Sequence, residues 1–454
     1  MGQGALNYQG VKGGIKLNDV IEEFKYVYQG KTITAGDFVN YINGASGETT
    51  TTTKTETSVD TALCTTQNNT GLSLGAIKLD DTRVFVVQQD KATINKGLCA
   101  RVVTIDGVEI IPNTLTLLSD EENINTYLVS IELLPNGNIF IAHGGSKDSY
   151  SYVLHGTVCS VSGTTITRGS TIQLGASSTC QAYGLSTEVL SNGNVFIAHS
   201  YDSSNRYLYG MVCTINGTTI TTGTDTQLSA SVYSGNSIST TTLQNGDIAI
   251  AHSRIKSSYY LCVTNCSVSG TTITVNTYTI SNDSYAGSYV SATTLANGNL
   301  FVAHSYSSNY YLYGCVYTVS GHTFTKGTDT LLKNANKEGQ YNIRALTLPS
   351  GKVFVTHNLG NYNLYACICT ISGTSITAGT SVELIPSGVY TNMYVEPVLL
   401  SNGNIFIAHC LTNNYHLYAQ IFGVDETNNI PTTEVTVILK TLLRDSWVIV
   451  NCTM

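Results

Sequence analysis

Between residues 185 and 228 the chain alternates apolar or β-branched runs with short polar breaks: LSTEVL (185–190), NVFIAHS (194–200), YLYGMVCTI (207–215) and TTITTGTDTQL (218–228). Runs of this length and make-up, bounded by turn residues, predict four β-strands. The Asn-Gly of NGN after the first run and of INGTT after the third supplies the positive φ that a tight hairpin needs. The second run then returns along the chain as LPNGNIFIAHG (134–144), LQNGDIAIAHS (243–253), LANGNLFVAHS (295–305), LPSGKVFVTHN (348–358) and SNGNIFIAH (401–409), with a weaker copy, LDDTRVFVVQQ, at 79–89. Its closing His stands at 143, 199, 252, 304, 357 and 409, and Gln88 holds the slot in the first copy, so the intervals are 55, 56, 53, 52, 53 and 52 residues. No segment between 60 and 440 has a helical period with capping residues. A four-stranded meander used seven times predicts an all-β chain, a seven-bladed β-propeller of four-stranded blades over residues 59–440. A β-solenoid is the competing architecture, but its coils are shorter and lack two hairpins per unit.

With strands A to D running from the axis outward, the A–B and C–D turns lie on one face and the B–C and D–A connections on the other. The first face carries the NGN and SGTT turns, nearly constant from copy to copy. The second carries the variable segments SYDSSNR (200–206), SRIKSSYY (253–260), SYSSNYY (305–311), NLGNYN (358–363) and CLTNNYH (410–416).

The ends of the chain do not carry the motif. Residues 1–43 read as a small N-terminal module, a short helix beginning at KLNDVIEEF (16–24) and then a hairpin. GKTITAGDFV (30–39) resembles the outer-strand segment GTSITAGTSVEL (373–384), so the hairpin is either an independent adaptor or an added strand of the ring. Residues 44–58 form a Thr-rich linker, TEVTVILKTLLRDSW (433–447) is expected to supply the outer strand of blade seven, and 441–454 is a C-terminal tail.

Composition narrows the function classes. Charged residues are 11 % of the chain, against about 25 % in an average soluble protein, whereas Tyr alone numbers 29. A net charge of −8 without Lys/Arg clusters gives no footprint for nucleic acid or an anionic membrane, and no apolar run is long enough to insert. No secretion signal is apparent in MGQGALNYQG, which points to synthesis in a cytoplasm. Four of the twelve cysteines, Cys159, Cys213, Cys266 and Cys369, each precede the Gly of a repeated turn by four residues, placing them in separate structural units; buried reduced thiols are expected rather than disulfides.

The recurring His residues invite a metal or catalytic reading. Neighbouring sheets pack about 10 Å apart, so one slot repeated in successive blades cannot converge on a single ion. Each His is instead read as a packed, hydrogen-bonded strand residue, with no metal and no cofactor. Glu188 and Glu396 occupy similar places on innermost strands, but no repeated Arg partner accompanies them, and no GxSxG, Walker, HExxH or EF-hand spacing occurs. No catalytic residues are assigned. The variable face, by contrast, is rich in Tyr, Ser, Gly and Asn, the residues that suit recognition loops. Tyr201, Arg206, Tyr207, Tyr259, Tyr260, Tyr306, Asn309, Tyr310, Tyr362 and Asn414 are the expected ligand-binding set. Tyr207, with Tyr311 and Tyr415 in register, equally suits a plug between blades, whereas Tyr201, Tyr306 and Tyr310 lie nearer the loop tips.

AGDFVNYING (35–44), the Thr-rich stretch after it and the NG-turn repeats together resemble tail or baseplate proteins of phages and of phage-derived contractile bacteriocins of clostridia and related Gram-positive bacteria. The resemblance implies a virion component that touches the host surface: a non-enzymatic protein binding a bacterial cell-surface glycan or protein, attached to other tail proteins through residues 1–43. A purely structural tail role, a free propeller lectin and a glycan hydrolase are the alternatives.

Overall fold

The computed structural model describes residues 49–64, 73–90, 97–118, 125–146, 152–175, 184–200, 207–229, 234–255, 258–281, 286–306, 308–309, 311–333, 342–358, 363–385, 391–411 and 416–442. These residues are all strand, turn or irregular, with no helix among them. The short helix and the hairpin read in residues 1–43, and the tail after 442, lie outside the described residues.

Residues 55–437 form one compact unit, a seven-bladed propeller of four-stranded antiparallel blades. Blade three is representative: strand A is Leu185–Val189, B Val195–Ser200, C Leu208–Asn216, and D comes in two pieces, Thr219–Thr221 and Thr226–Gln227, both paired to C. The A–B turn is closed by the Gly193 N–H on the Leu190 carbonyl at 2.8 Å, and the Asn192 side-chain oxygen accepts the Asn194 N–H at 3.0 Å. Gly193 sits at φ 83°, a region that an L side chain rarely adopts, and the equivalent Gly of the other NG or SG turns does the same. This is why the turn sequence is nearly invariant among copies.

Strand B is buried along its whole length in blade three because both faces of each sheet pack on neighbouring blades. Its apolar run is therefore continuous rather than alternating. Seven separate apolar clusters result, one at each interface, and the cluster between blades seven and one closes the circle with Phe406, Ala408 and Ile421 against Val84, Val86 and Val103.

The repeated His on strand B ties the sheet to its outer strand. His199 Nε2 lies 2.9 Å from Asp225, His304 Nε2 3.2 Å from Asp329 and His357 Nε2 2.9 Å from the Ser381 hydroxyl, and Tyr209, Tyr313 and Tyr365 of strand C stack on these rings at 5.9–6.1 Å. His252 instead meets the Thr264 hydroxyl at 3.2 Å. Burial depresses the basicity of the imidazoles without a carboxylate, His143 and His357 to about 3 and His252 to about 4.

Blade seven departs from expectation. Its outer strand is not drawn from 433–447: the two pieces are Ile430–Thr432, reached through the C–D turn, and Thr61–Cys64 from the other end of the chain. Asp60 then occupies the Asp225 position, 3.0 Å from His409 Nε2, and Ser58 bonds the Ile421 carbonyl. Glu434–Leu442 pairs instead with Thr49–Thr57, so part of the stretch read as linker is strand. The physical reason is the split in strand D, which lets the two halves come from different parts of the chain. The second compact unit comprises residues 1–54 and 438–454, of which the described residues, 49–54 and 438–442, belong to this two-stranded sheet.

The ten described cysteines are buried with no disulfide among them, and burial pushes the Cys159, Cys213 and Cys266 thiols up to about 12.

Candidate functional site

The propeller offers two surfaces for chemistry: its axial channel, lined by the A strands, and the face carrying the B–C and D–A connections.

Along the channel, pairing with strand B fixes the level of each side chain. One level, set opposite Ala142, Ala198, Ala251 and Ala303, carries Ser130, Ser186, Ser239 and Ser291. Each of these hydroxyls accepts a backbone N–H from the next blade, those of Thr187, Thr240, Ala292 and Ala345, at 2.9–3.0 Å. Small hydroxyls thus lace the inner strands together. In blades six and seven the level is taken by Arg344 and Glu396, whose Nε and Oε2 lie 3.0 Å apart.

Two residues toward the tight-turn face lies a level opposite the strand-B Phe residues, and here Glu132 stands beside Glu188. Glu132 accepts from the Thr187 hydroxyl at 3.1 Å and Glu188 from the Thr242 hydroxyl at 3.0 Å. Leu346, Val398 and Ile77 fill the level in blades six, seven and one, so it is acidic on one side and apolar on the other. Burial raises the pKa of Glu132, with the Glu188 charge adding to it, and burial raises that of Glu188 against the Thr242 hydrogen bonds. Glu396 is also raised by burial, with Arg344 opposing the rise. All three side chains keep partial contact with the channel, 26 % exposure for Glu396, so water tempers these shifts. A carboxyl that stays protonated beside one that ionises can donate and accept a proton within one site.

The sequence pairing of Glu188 with Glu396 does not hold at this resolution of register. Glu188 lies opposite Phe196 and Glu396 opposite Ala408, one level apart; the level partner of Glu188 is Glu132, which the sequence reading missed. Counting back from the turn reveals it, since Glu132 and Glu188 both stand two residues before the Leu that precedes the turn, and Glu396 stands four before it.

On the variable face, five members of the expected set are described. Tyr259 and Tyr260 open strand C of blade four, half-buried, and the Arg254 guanidinium sits over the Tyr260 ring at 5.8 Å from its centroid. Tyr207 directly precedes strand C of blade three and is also half-buried. Asn309 caps the B–C connection of blade five, its side-chain oxygen accepting the Tyr311 N–H at 2.9 Å. Tyr306 is not at a loop tip. It ends strand B, its ring lies 4.5 Å from Tyr313 and its hydroxyl donates to Asp329 at 3.2 Å, which makes it a strut of the blade. Tyr201, Arg206, Tyr310, Tyr362 and Asn414 lie outside the described residues.

No family model matches the chain, and no curated protein matches it. Among solved structures, a protein from Bacteroides uniformis proposed to be a 6-phosphogluconolactonase overlays with a TM-score of 0.54 at 10 % identity, over 80 % of this chain and 98 % of that one. A second protein of the same proposed type, from Bacteroides fragilis, gives 0.51 at 12 % identity over 80 % and 97 %. Trypanosoma rangeli sialidase gives 0.45 at 10 %, over 78 % and 55 %. The two overlays above 0.5 establish the propeller fold; at such identities they carry nothing of activity.

Proposed function

We propose that the protein is a recognition component of a phage tail or contractile bacteriocin particle, its propeller binding a bacterial cell-surface glycan or protein through the face of the B–C and D–A connections, with residues 1–43 attaching it to other tail proteins. The observation that carries this reading is the contrast between the faces. The A–B turns repeat one geometry at Gly137, Gly193, Gly246, Gly298, Gly351 and Gly403. The opposite connections differ from blade to blade, 281–285 in one D–A position and 174–184 in another. Uniform turns serve folding, whereas connections that change in length and sequence from blade to blade are where a rigid scaffold carries its binding residues. The Arg254–Tyr260 stack with Tyr259 beside it offers flat ring faces and a fixed cation, suited to a sugar face or a polar protein surface.

The test is binding of the full chain to Gram-positive cells and to their isolated surface glycans. Tyr259→Ala with Tyr260→Ala is expected to weaken binding about thirtyfold, the ~2 kcal/mol typical of truncated aromatic anchors, while Thr218→Ala with Thr219→Ala on the tight-turn face leaves it unchanged. Equal binding by both variants would favour a purely structural tail role.

Glu132 and Glu188 support a second reading, hydrolysis of a surface polysaccharide in the channel. A pair of neighbouring carboxyl groups, one able to donate a proton and the other to accept one, is what glycoside hydrolysis uses. Release of reducing ends from such glycans, lost in Glu132→Gln and Glu188→Gln, is its signature; a wild type that binds but releases nothing rules it out.

A further inference from the structure

His residues of different blades cannot share an ion, but blades three, five, six and seven each build a triangle of their own: the strand-B His, a strand-C residue two positions past the stacked Tyr, and the residue at the outer strand that the His contacts. In blade three these are His199, Met211 and Asp225, and in blade six His357, Cys367 and Ser381. Blade five alone among these joins an imidazole, a thiol and a carboxylate, in His304, Cys315 and Asp329.

We propose that His304, Cys315 and Asp329 form a binding site for one zinc-class divalent ion, which clamps strands B, C and D of blade five. One donor atom from each lies within 4.8 Å of the other two, and His304 and Cys315 are fully buried. Zinc bonds of about 2.0–2.3 Å in tetrahedral array call for donors somewhat closer together, a contraction of roughly 1 Å that side-chain rotation can supply. Mixed nitrogen, sulfur and oxygen donors favour zinc or cobalt over magnesium or calcium.

The surroundings of Asp329 fit a ligand. Lys326 Nζ at 2.7 Å and the Tyr306 hydroxyl at 3.2 Å both engage Oδ2, whereas Oδ1 faces His304. One carboxylate oxygen is thus held from outside and the other turned inward, as in carboxylates oriented by an outer shell of hydrogen bonds. The ion enters between His304 Nε2 and Oδ1. The Cys315 thiol proton leaves to solvent as the sulfur–metal bond forms, the imidazole proton moves to Nδ1, and no oxidation state changes. Among the described residues Nδ1 of His304 has no hydrogen-bond partner and three protein donors converge, so binding is weaker than at a four-ligand structural site.

Metal-free full-length protein titrated with cobalt(II) should take up one equivalent with a thiolate-to-cobalt charge-transfer band, and zinc should displace it and raise the melting temperature. Cys315→Ala should lose the band and the zinc-induced shift, and Cys367→Ala should keep both. In blade three, Met211→Cys completes the same triangle and should raise the stoichiometry from one to two. No thiolate band in the wild type, or a band that persists in Cys315→Ala, overturns the proposal. Should Cys315→Ala fail to fold, Met211→Cys decides: a second equivalent supports the triangle, and an unchanged single equivalent overturns it.

Discussion

Blade three and blade seven have the same sheet, the same stacked Tyr and nearly the same His–Asp bond, 2.9 Å for His199–Asp225 and 3.0 Å for His409–Asp60, yet they are held together differently. In blade three the outer strand follows strand C through a hairpin and cannot leave it. In blade seven the part that carries the aspartate arrives from the opposite end of the chain, so its pairing to strand C is noncovalent and closes a loop of over three hundred residues. Identical local geometry thus carries unequal weight. Detachment of Thr61–Cys64 is therefore expected to loosen closure of the ring, whereas a defect in blade three should stay local.

Truncation breaks this comparison most severely. Removing residues 1–57 leaves Ser58, Asp60 and Leu63 to complete blade seven, and the remaining chain is expected to melt cooperatively with an all-β circular dichroism spectrum. Removing residues 1–64 strips the Thr61–Cys64 piece of the outer strand, exposes the core around Leu417 and Ala419, and should abolish cooperative melting. Equal behaviour of the two truncations would mean that closure does not depend on this strand.

How far the sequence foretold this is instructive. The interval between His residues and the Asn-Gly turns is a count imposed by strand length and turn geometry, so blade number and strand order could be read directly. The closing strand was legible too, at the very start of the range read as propeller and directly after the linker: SVDTAL (58–63) matches GTDTQL (223–228) and GTDTLL (327–332). A search that looked for the missing strand only downstream of blade seven passes over it. In the channel, the acidic character of Glu188 is plain in sequence, while its neighbour depends on register, since a shift of two residues moves a side chain to another level. Glu132 is identified by its distance from the turn and by nothing in its immediate context. On the variable face, composition marks the surface but cannot separate a strut such as Tyr306, whose partner Asp329 is 23 residues away, from a ring available to a ligand.

Acid is the next strongest probe, because several buried imidazoles respond together. His143, His252 and His357 take up protons in the folded chain only near pH 3 to 4, whereas in the unfolded chain they do so near 6.5. Their contribution is fully present above about pH 6.5 and is lost progressively as the pH falls toward 4, the unfolded chain binding the extra protons. Glu188, raised from 4.5 to about 7, has the opposite sign: its contribution is present below 4.5 and lost as the pH rises to 7. Melting temperature against pH should therefore decline on the acid side, and Glu188→Gln should gain on the wild type as pH rises from 4.5 to 7. A variant that tracks the wild type throughout would show that channel water offsets the burial of Glu188.

Single side chains then compare the two blades directly. Asp60→Ala and Asp225→Ala each leave a buried imidazole without its carboxylate, at a cost of about 1–3 kcal/mol. The hairpin of blade three restrains its strand after the bond is lost; the short Thr61–Cys64 segment has no such restraint and frays. Asp60→Ala should lower the melting temperature more than Asp225→Ala, and should speed amide exchange along Leu417–Asp425 more than Asp225→Ala does along Leu208–Asn216. Matching losses would place the weight of closure on the blade-seven core instead of on its outer strand.

The smallest effect is expected at the seam between the last blade and the first, where intuition would place the weak point of a ring. Lys78 Nζ donates to the Ser401 hydroxyl at 2.9 Å across this seam, on exposed atoms. Beneath it the cluster of Val84, Val86, Phe406 and Ile421 is as apolar as the interfaces between blades joined by continuous chain. A surface hydrogen bond of this kind changes stability by no more than about 0.5 kcal/mol. Lys78→Ala should leave the melting temperature within error of the wild type, and Val86→Ala, which opens a cavity in the same seam, should cost about 1–3 kcal/mol, as truncation of a core side chain does. The ring is then held at the seam by its core and closed by a strand inside blade seven. A large loss in Lys78→Ala would reverse that assignment and make the seam, rather than Thr61–Cys64, the joint at which the propeller opens.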